Sequence, residues 1–442
     1  KKHIYEHKVI DKMTMSNKVI MMNNQITKEN VKYLRKIPDV DKENPSVELY
    51  CSEYRNQNCI PHSTNAKSYV FHGDTLFLES YPYSIELTKS KYEGFGFEFE
   101  KCRFSEAHEG TLLRVFNIEG KWYTSTNRRL DAFNSKWAAK TTTFGLHFAD
   151  TVRENIRSVT DDEYFEDEDE SLEERKKNAK EYLNAIYDKN LDKSKKYMFL
   201  LEPCKEERIV CLTGSPRFLN IGVFDKDNKL SFNEDVIMDG FKVPRPREHV
   251  FKDVQEMFSA LDSVDINHIQ GFIAIQENKH FKFLNDRYKY LFNVRGNVSS
   301  IRFRFLELNC QNTVINLRNR TNQQTTAQIG NMLEDFCHLY NFNPQPLLNY
   351  IWTTVVVDLF NKYKKRYIDK TEPSDSTITS KQDRMLKEIH NRYNESVRHG
   401  NRIITDKNRI SDILAIQKPS DLNQLIGEYE KIDKNAKREI AA

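Results

Sequence analysis

The chain has 442 residues, 30% of them charged, and its 68 Lys and Arg against 65 Asp and Glu leave a formal net charge of +3. That length allows two or three domains with ample cores, and a charge so close to balance by itself neither identifies nor excludes a nucleic-acid partner. Seven cysteines at irregular spacing exclude a disulfide scaffold and fit a reducing compartment. The most apolar stretch, Pro346 to Phe360, is too short for a membrane span and carries Asn349, Thr353, Thr354 and Asp358.

Residues 1–75 mix short apolar stretches with many Asn and Lys residues and show no clear period. Cys51, Cys59 and His62 in this region are spaced too loosely for a zinc site. Residues 76–300 alternate short strand-like runs with Gly, Asn and Asp punctuation. Lys91-Tyr92-Glu93-Gly94 precedes Phe95 to Glu100, which alternates as a strand does. Glu106-Ala107-His108-Glu109-Gly110 leads into Thr111 to Phe116, a core strand. Asn117 to Gly120 predicts a hairpin turn, with Gly120 available for positive φ. Lys121 to Thr126 is the returning strand, rich in β-branched and aromatic residues, and it delivers Arg128 and Arg129. The acidic run Asp161 to Glu174 reads as a solvated loop or helix start, followed by a helix near 175–190. Tyr197 to Leu201 is a buried-type strand ending at Glu202-Pro203, with Arg208 to Leu212 as its partner strand. A helix near 247–262 precedes the strands Ile269 to Ile275 and His280 to Leu284, which a short connection joins.

From Ile301 the pattern turns helical, and residues 301–442 read as an all-helical C-terminal domain. Leu348, Trp352, Val355, Leu359 and Tyr363 fall on one helical face. Ser380, with Asp383 three residues on, predicts a helix start after the polar linker Thr371 to Thr379. Leu386, Ile389, Tyr393 and Val397 face inward along that helix, Gly400 ends it, and Ser420 opens a last one. This region carries 22 Lys and Arg against 17 Asp and Glu, and the first 300 residues are also net basic once the acidic run is set aside. Both parts therefore suit a polyanionic ligand. Lys362-Tyr363-Lys364-Lys365-Arg366-Tyr367 is the densest basic, aromatic-interleaved stretch. It reads equally as an RNA-binding surface or as a solvated helix C-terminus favoured by the macrodipole.

The segment Glu106 to Phe116 resembles the nucleophile box of ATP-dependent ligases and capping enzymes, Lys-x-x-Gly at a strand end, with Ala107 at the lysine position. The order of the later motifs makes the chain similar to RNA ligases of the T-even bacteriophage type. It is most nearly similar to those assigned to large cytoplasmic DNA viruses of the asfarvirus kind. The resemblance covers roughly residues 80–300. It implies an α+β architecture: a nucleotidyltransferase (ATP-grasp-like ligase) domain of antiparallel sheets flanked by helices, followed by a helical RNA-selecting domain. It implies ATP with Mg²⁺ or Mn²⁺ as cofactors, and RNA ends as partners, tRNA or nicked RNA among them. The setting it implies is the cytoplasm of an infected cell, or a virion that packages the protein. The activity implied is adenylylation of a lysine, transfer of AMP to an RNA 5′-phosphate, and attack by a 3′-hydroxyl.

By position in the motifs, the nucleophile seat falls on Ala107, and Lys282 is the phosphate-facing lysine. Glu106, His108, Gly110, Arg128 (Arg129 as its alternate), Glu202 and Gln270 fall at nucleotide-contacting positions, with Glu202 also near the metal. Lys362, Lys364, Lys365 and Arg366 are the candidates for RNA contact in the appendage. Three positions depart from the family: Ala107 for the lysine, Gln270 for a metal-binding glutamate, and Leu284 for a second lysine. Lys91, in its own Lys-x-x-Gly, is the alternative nucleophile. With Ala107 in register, the chain is either a Lys→Ala variant of an active ligase or a natural pseudo-ligase that binds RNA. A DNA ligase or capping guanylyltransferase would carry an OB-fold after the last motif, where this chain is helical.

Overall fold

A computed structural model of the protein describes residues 26–32, 38–51, 68–81, 84–93, 95–137, 142–160, 170–203, 208–212, 214–277, 279–318, 323–371, 378–400 and 405–441. Cys59, His62, Gly94, most of the acidic run and most of the polar linker lie outside them. The chain divides into two compact units, Lys1–Leu291 and Phe292–Ala442.

The first unit is α+β and holds three main sheets. After a short helix, α1 (Lys28–Lys32), an antiparallel sheet takes β1 (Pro38–Val40), β2 (Val47–Cys51), β3 (Ser68–His72) and β4 (Thr75–Glu79) in chain order. The described strands before residue 75 therefore share a sheet with β4. Val47, Leu49, Val70 and Leu78 share a core with Phe116, Tyr123, Met198 and Phe224 of the next sheet, because the apolar face of a small sheet must be covered.

That next sheet has five antiparallel strands. Its order places β11 (Leu230–Ser231), β10 (Phe218–Phe224) and β9 (Lys196–Leu201) beside β7 (Thr111–Ile118) and β8 (Lys121–Thr126). The hairpin between β7 and β8 forms at the predicted turn, with Glu119 at φ 53° and Gly120 at φ 87°. Period-two alternation sorts its residues between two faces. Leu113, Val115, Tyr197, Phe199 and Phe218 face helices α2 (Phe144–Thr160) and α3 (Leu172–Asn190), meeting Phe148, Val152, Leu183 and Tyr187. The opposite face is shared between the first sheet and a cleft toward the third. Sequence period alone did not reveal α2, which begins Phe144-Gly145. The glycine is needed there because a Cβ would come within 2.5 Å of the Phe133 ring.

The short pair β12 (Ile237–Met238) and β13 (Phe241–Lys242) precedes the third sheet. This third sheet orders β14 (Glu248–His249), β6 (Arg103–Ala107), β15 (Gly271–Gln276), β16 (Lys279–Leu284) and β5 (Ser84–Leu87), antiparallel except for β16 against β5. Phe104, Phe272, Phe281 and Phe283 pack its outer face onto helix α4 (Val254–Ser263) through Met257, Phe258 and Leu261. Two expected strands are absent. Phe95 to Glu100 forms turns and the start of a 3₁₀ helix, Phe99–Lys101. The segment 208–212 joins no strand and hangs instead on the Glu109 carboxylate, while β10 partners β9. Helix α5 (Asp286–Arg295) follows β16, its first turn capped by the Asn285 side chain, which accepts from the N–H groups of Arg287 and Tyr288.

The second unit is helical: α6 (Ile301–Arg318), α7 (Gln323–Leu339), α8 (Gln345–Tyr350), α9 (Val357–Tyr363), α10 (Ser380–Arg398), α11 (Lys407–Ala415) and α12 (Pro419–Ala441). Two π-helical segments, Ile351–Val356 and Lys364–Ile368, flank α9. Val355, Leu359 and Tyr363 are buried as the helical face requires, with Leu386, Ile389, Ile410, Leu425 and Ile426, whereas Trp352 and Val397 are exposed. The cap of α10 is Thr379 rather than Ser380: its hydroxyl accepts from the Gln382 N–H, and the Gln382 side chain returns the bond in a capping box.

Candidate functional site

Between the second and third sheets of the first unit lies a cleft of about 230 Å³. On β6, residues 103, 105 and 107 share a face, and Arg103 and Ser105 of that face line the cleft. β15 and β16 contribute Ile273, Ile275 and Lys282 from one wall. Leu112, Leu200, Asn220 and Ile221 come from the other, with Phe232, Arg245 and Pro246 on the connecting segment. The loop after β6 adds His108 and Gly110, and Gln270 enters just before β15. Ala107 itself is fully buried at the end of β6, with its carbonyl accepting from the Gln270 N–H at 2.7 Å and its register partner at Gly271.

Gly271 must be glycine. Its φ is 149°, and a Cβ would come within 2.1 Å of the Phe283 carbonyl oxygen. Gly110 is also required on steric grounds, since a Cβ there would approach the Leu201 carbonyl oxygen to 2.5 Å. The glycine expected to admit a nucleotide thus also admits a neighbouring strand.

A chain of charges runs from the cleft lining into the interior. His108 Nε2 lies 3.3 Å from Glu106 Oε2, and its Nδ1 lies 3.3 Å from Glu202 Oε1. His249 Nε2 lies 3.3 Å from the other Glu106 oxygen. The Arg217 guanidinium donates to both oxygens of Glu202, at 2.6 and 3.1 Å. Burial pulls the His108 imidazole toward neutrality, but the two carboxylates outweigh it and hold its pKa above the ordinary value. His108, with His249 behind it, keeps Glu106 below the usual carboxylate range against the opposing effect of burial. Burial pushes Glu202 up, and His108 and Arg217 together more than reverse that. Burial lowers the Lys282 ammonium, an effect that Glu86 and Glu109 only partly offset. Glu109 is buried and accepts from the N–H groups of Ile209, Val210 and Cys211 and from the Tyr288 hydroxyl.

The structure therefore gathers Glu106, His108, Gly110, Gln270 and Lys282 on one cleft, with Glu202 one contact behind His108. It does not bring Arg128 there. Arg128 is exposed beyond β8, and its alternate Arg129 pairs with Asp39. The buried arginine of that hairpin is Arg114, which donates to Ser125, Ser68 and the Thr126 carbonyl. Lys91 is exposed on a turn and lines a different surface hollow, with Lys89 and Tyr92. In the second unit, Lys362 pairs with Asp358 within α9 and donates to the Gln382 side chain of α10, and Arg366 pairs with Asp383 of α10, while Lys364 and Lys365 are exposed. Arg103, Asn220, Phe232 and Arg245 line the cleft unforeseen. Period two along β6 could have flagged Arg103 from Ala107, but nothing local marks Arg245, which lies between Pro244 and Pro246.

The donor set does not fit a resident Mg²⁺ or Mn²⁺. Both Glu202 oxygens are bound by Arg217, Gln270 offers a neutral amide, and the described residues contain no group of three His, Cys, Asp or Glu able to hold a metal.

No family model matches the chain. It is 26% identical over 432 residues to an immediate-early protein ICP-46 homolog of Invertebrate iridescent virus 6, covering 92% of this chain and 86% of that protein. It is 25% identical to the corresponding homolog of Invertebrate iridescent virus 3, covering 83% and 71%. Immediate-early protein ICP-46 of Frog virus 3 matches at 27% identity, over 55% of this chain and 58% of that protein. Among solved structures, an archaeal ATP-dependent RNA ligase in two forms aligns with TM-scores of 0.37 and 0.38 at 9% and 8% identity. These alignments cover 70% and 74% of this chain, and 75% and 78% of those chains. Likeness of this degree leaves the activity to be argued from the cleft.

Proposed function

We propose that this chain is an ATP-dependent RNA ligase whose covalent first step is blocked at Ala107, a Lys→Ala variant of the nucleophile. The observation that carries this reading is the convergence of five residues, drawn from three separate motifs, on one inter-sheet cleft. In the active form, a lysine at 107 attacks the α-phosphate of ATP, forming an N–P bond and releasing pyrophosphate. AMP then passes to an RNA 5′-phosphate, and a 3′-hydroxyl displaces it to form the phosphodiester. The methyl of Ala107 has no lone pair, so this chain stops before the first step. Lys282 supplies positive charge to the nucleotide phosphate, and Leu112 and Leu200 from one wall and Ile273 from the other give the cleft an apolar lining. The viral relatives support a viral protein, and the ligase reading carries with it a role in the cytoplasm of an infected cell or in a virion.

Ala107→Lys, incubated with labelled ATP, is expected to form a covalent adduct visible on a denaturing gel. A folded Ala107→Lys that stays unlabelled, while the unaltered chain labels at Lys91, would sink the assignment of position 107. A second reading, a non-catalytic RNA-binding pseudo-ligase, draws support from Gln270, Leu284 and the engagement of Glu202 by Arg217. The two readings part on pre-adenylated RNA. A blocked ligase joins it to an acceptor end without ATP, and a pseudo-ligase binds it and leaves it unjoined.

A further inference from the structure

We infer that the cleft neutralises the phosphates of its nucleotide with its own fixed cations, Arg103, Arg245 and Lys282, and needs no divalent metal to bind it. This rests on the nucleotide reading above and names how that site takes its ligand.

Three cationic side chains line the cleft against a single carboxylate, Glu106, and that carboxylate is already engaged by His108 and His249. The cations approach from different directions: Arg103 from β6, Lys282 from β16, and Arg245 from the segment before β14. Each guanidinium is steadied by a carboxylate outside the cleft lining and by Phe232 within it. Arg103 pairs with Glu248, and its guanidinium carbon sits 5.3 Å from the Phe232 ring centroid. Arg245 pairs with Asp235 at 3.3 Å and donates to the Phe232 carbonyl at 3.3 Å. The Nε of Arg103 is buried with no hydrogen-bond acceptor, a donor left for something that enters.

A triphosphate in a partly enclosed cleft must have its charge offset, either by a bound divalent ion or by fixed donors. A divalent ion needs carboxylates, and the cleft lining has the neutral Gln270 where the ligase resemblance implies a metal-binding glutamate. Arginine forks match phosphate oxygens with two parallel bonds and lose little order in doing so. The site thus has the charge pattern of a metal-free polyphosphate site.

ATP itself is the probe. Calorimetry should give an ATP affinity in excess EDTA equal to or tighter than that in excess Mg²⁺. Arg245→Gln should weaken binding in EDTA about tenfold or more, and Arg103→Lys, which keeps charge but loses the fork, should weaken it less. Gln270→Glu should invert the preference, binding poorly in EDTA and recovering with Mg²⁺ or Mn²⁺. Circular dichroism establishes that each variant is folded. Binding seen only with Mg²⁺ overturns the inference and leaves the nucleotide reading standing. Binding in EDTA that neither arginine substitution alters overturns it too. Absence of binding in both conditions removes the nucleotide reading itself.

Discussion

Lys282 and His108 carry opposite electrostatic burdens, and each can be read separately. Lys282 is an amine drawn below its ordinary pKa by burial, so an incoming phosphate that pairs with it offsets that cost and favours its charged form. Lys282→Ala should therefore weaken ATP binding by at least about tenfold, the worth of a charge-assisted bond. Equal affinities by calorimetry would take Lys282 out of the site. His108 has a raised pKa, so its folded form holds a proton that the unfolded chain gives up above about 6.5. Its contribution to stability is full below that pH and is lost as pH rises through the folded value. His147 and His280 are buried with pKa values lowered to about 4, so the unfolded chain takes up protons that the folded one refuses as pH falls from 6.5. The lowered Glu106 and Glu202 add to that acid loss. The melting temperature should then peak near the ordinary imidazole pKa, and His108→Gln should lower the peak and flatten its alkaline side. An alkaline decline that persists in His108→Gln would assign it elsewhere.

At the scale of the element, close approach and capping decide which substitutions the fold feels. Gly110→Ala forces a methyl onto the Leu201 carbonyl, where backbone cannot yield cheaply, and should cost about 1–3 kcal/mol in urea denaturation. Gly427→Ala meets no atom within 4 Å inside α12 and should instead stabilise its unit by somewhat under about 1 kcal/mol through helix propensity. Thr379→Ala removes the α10 cap and should cost about 1 kcal/mol, whereas Ser380→Ala should stay within about 0.5 kcal/mol. The reverse order would put the cap back on Ser380.

For the whole molecule, the helical unit is where nucleic acid should be felt if the ligase reading holds. Lys362 and Arg366 are committed to Asp358 and Asp383, so removing them should destabilise the unit as well as weaken RNA binding. Lys364 is exposed, so Lys364→Ala should weaken RNA binding without a change in melting temperature and lower the slope of log affinity against log salt by about 1. An unchanged slope would remove Lys364 from the interface. The intact chain, given pre-adenylated RNA and an acceptor, is expected to join them slowly, and Lys282→Ala should slow this further.

Much of this protein is written locally. The runs Thr111–Ile118, Lys121–Thr126 and Lys196–Leu201 are strands because short runs rich in apolar, aromatic and β-branched residues are buried on both faces of one sheet, and that composition needs no partner to be legible. The order of Glu106, Gly110, Gln270 and Lys282 along the chain was equally legible, as was the change to helix after residue 300. What the chain could not declare were relations between distant segments. Arg245 reaches the cleft only because β14 pairs beside β6, and Glu109 turns inward because the segment 209–211 presents it with three N–H groups. Glu202 stands at a strand end, a position that the ligase resemblance implies is near a metal. Arg217, fifteen positions along, engages both its oxygens across the turn into β10. Secondary structure follows from near-neighbour burial and backbone preference, whereas the charge partners of a side chain are set by which strands come to lie side by side, and here that decided what the cleft can hold.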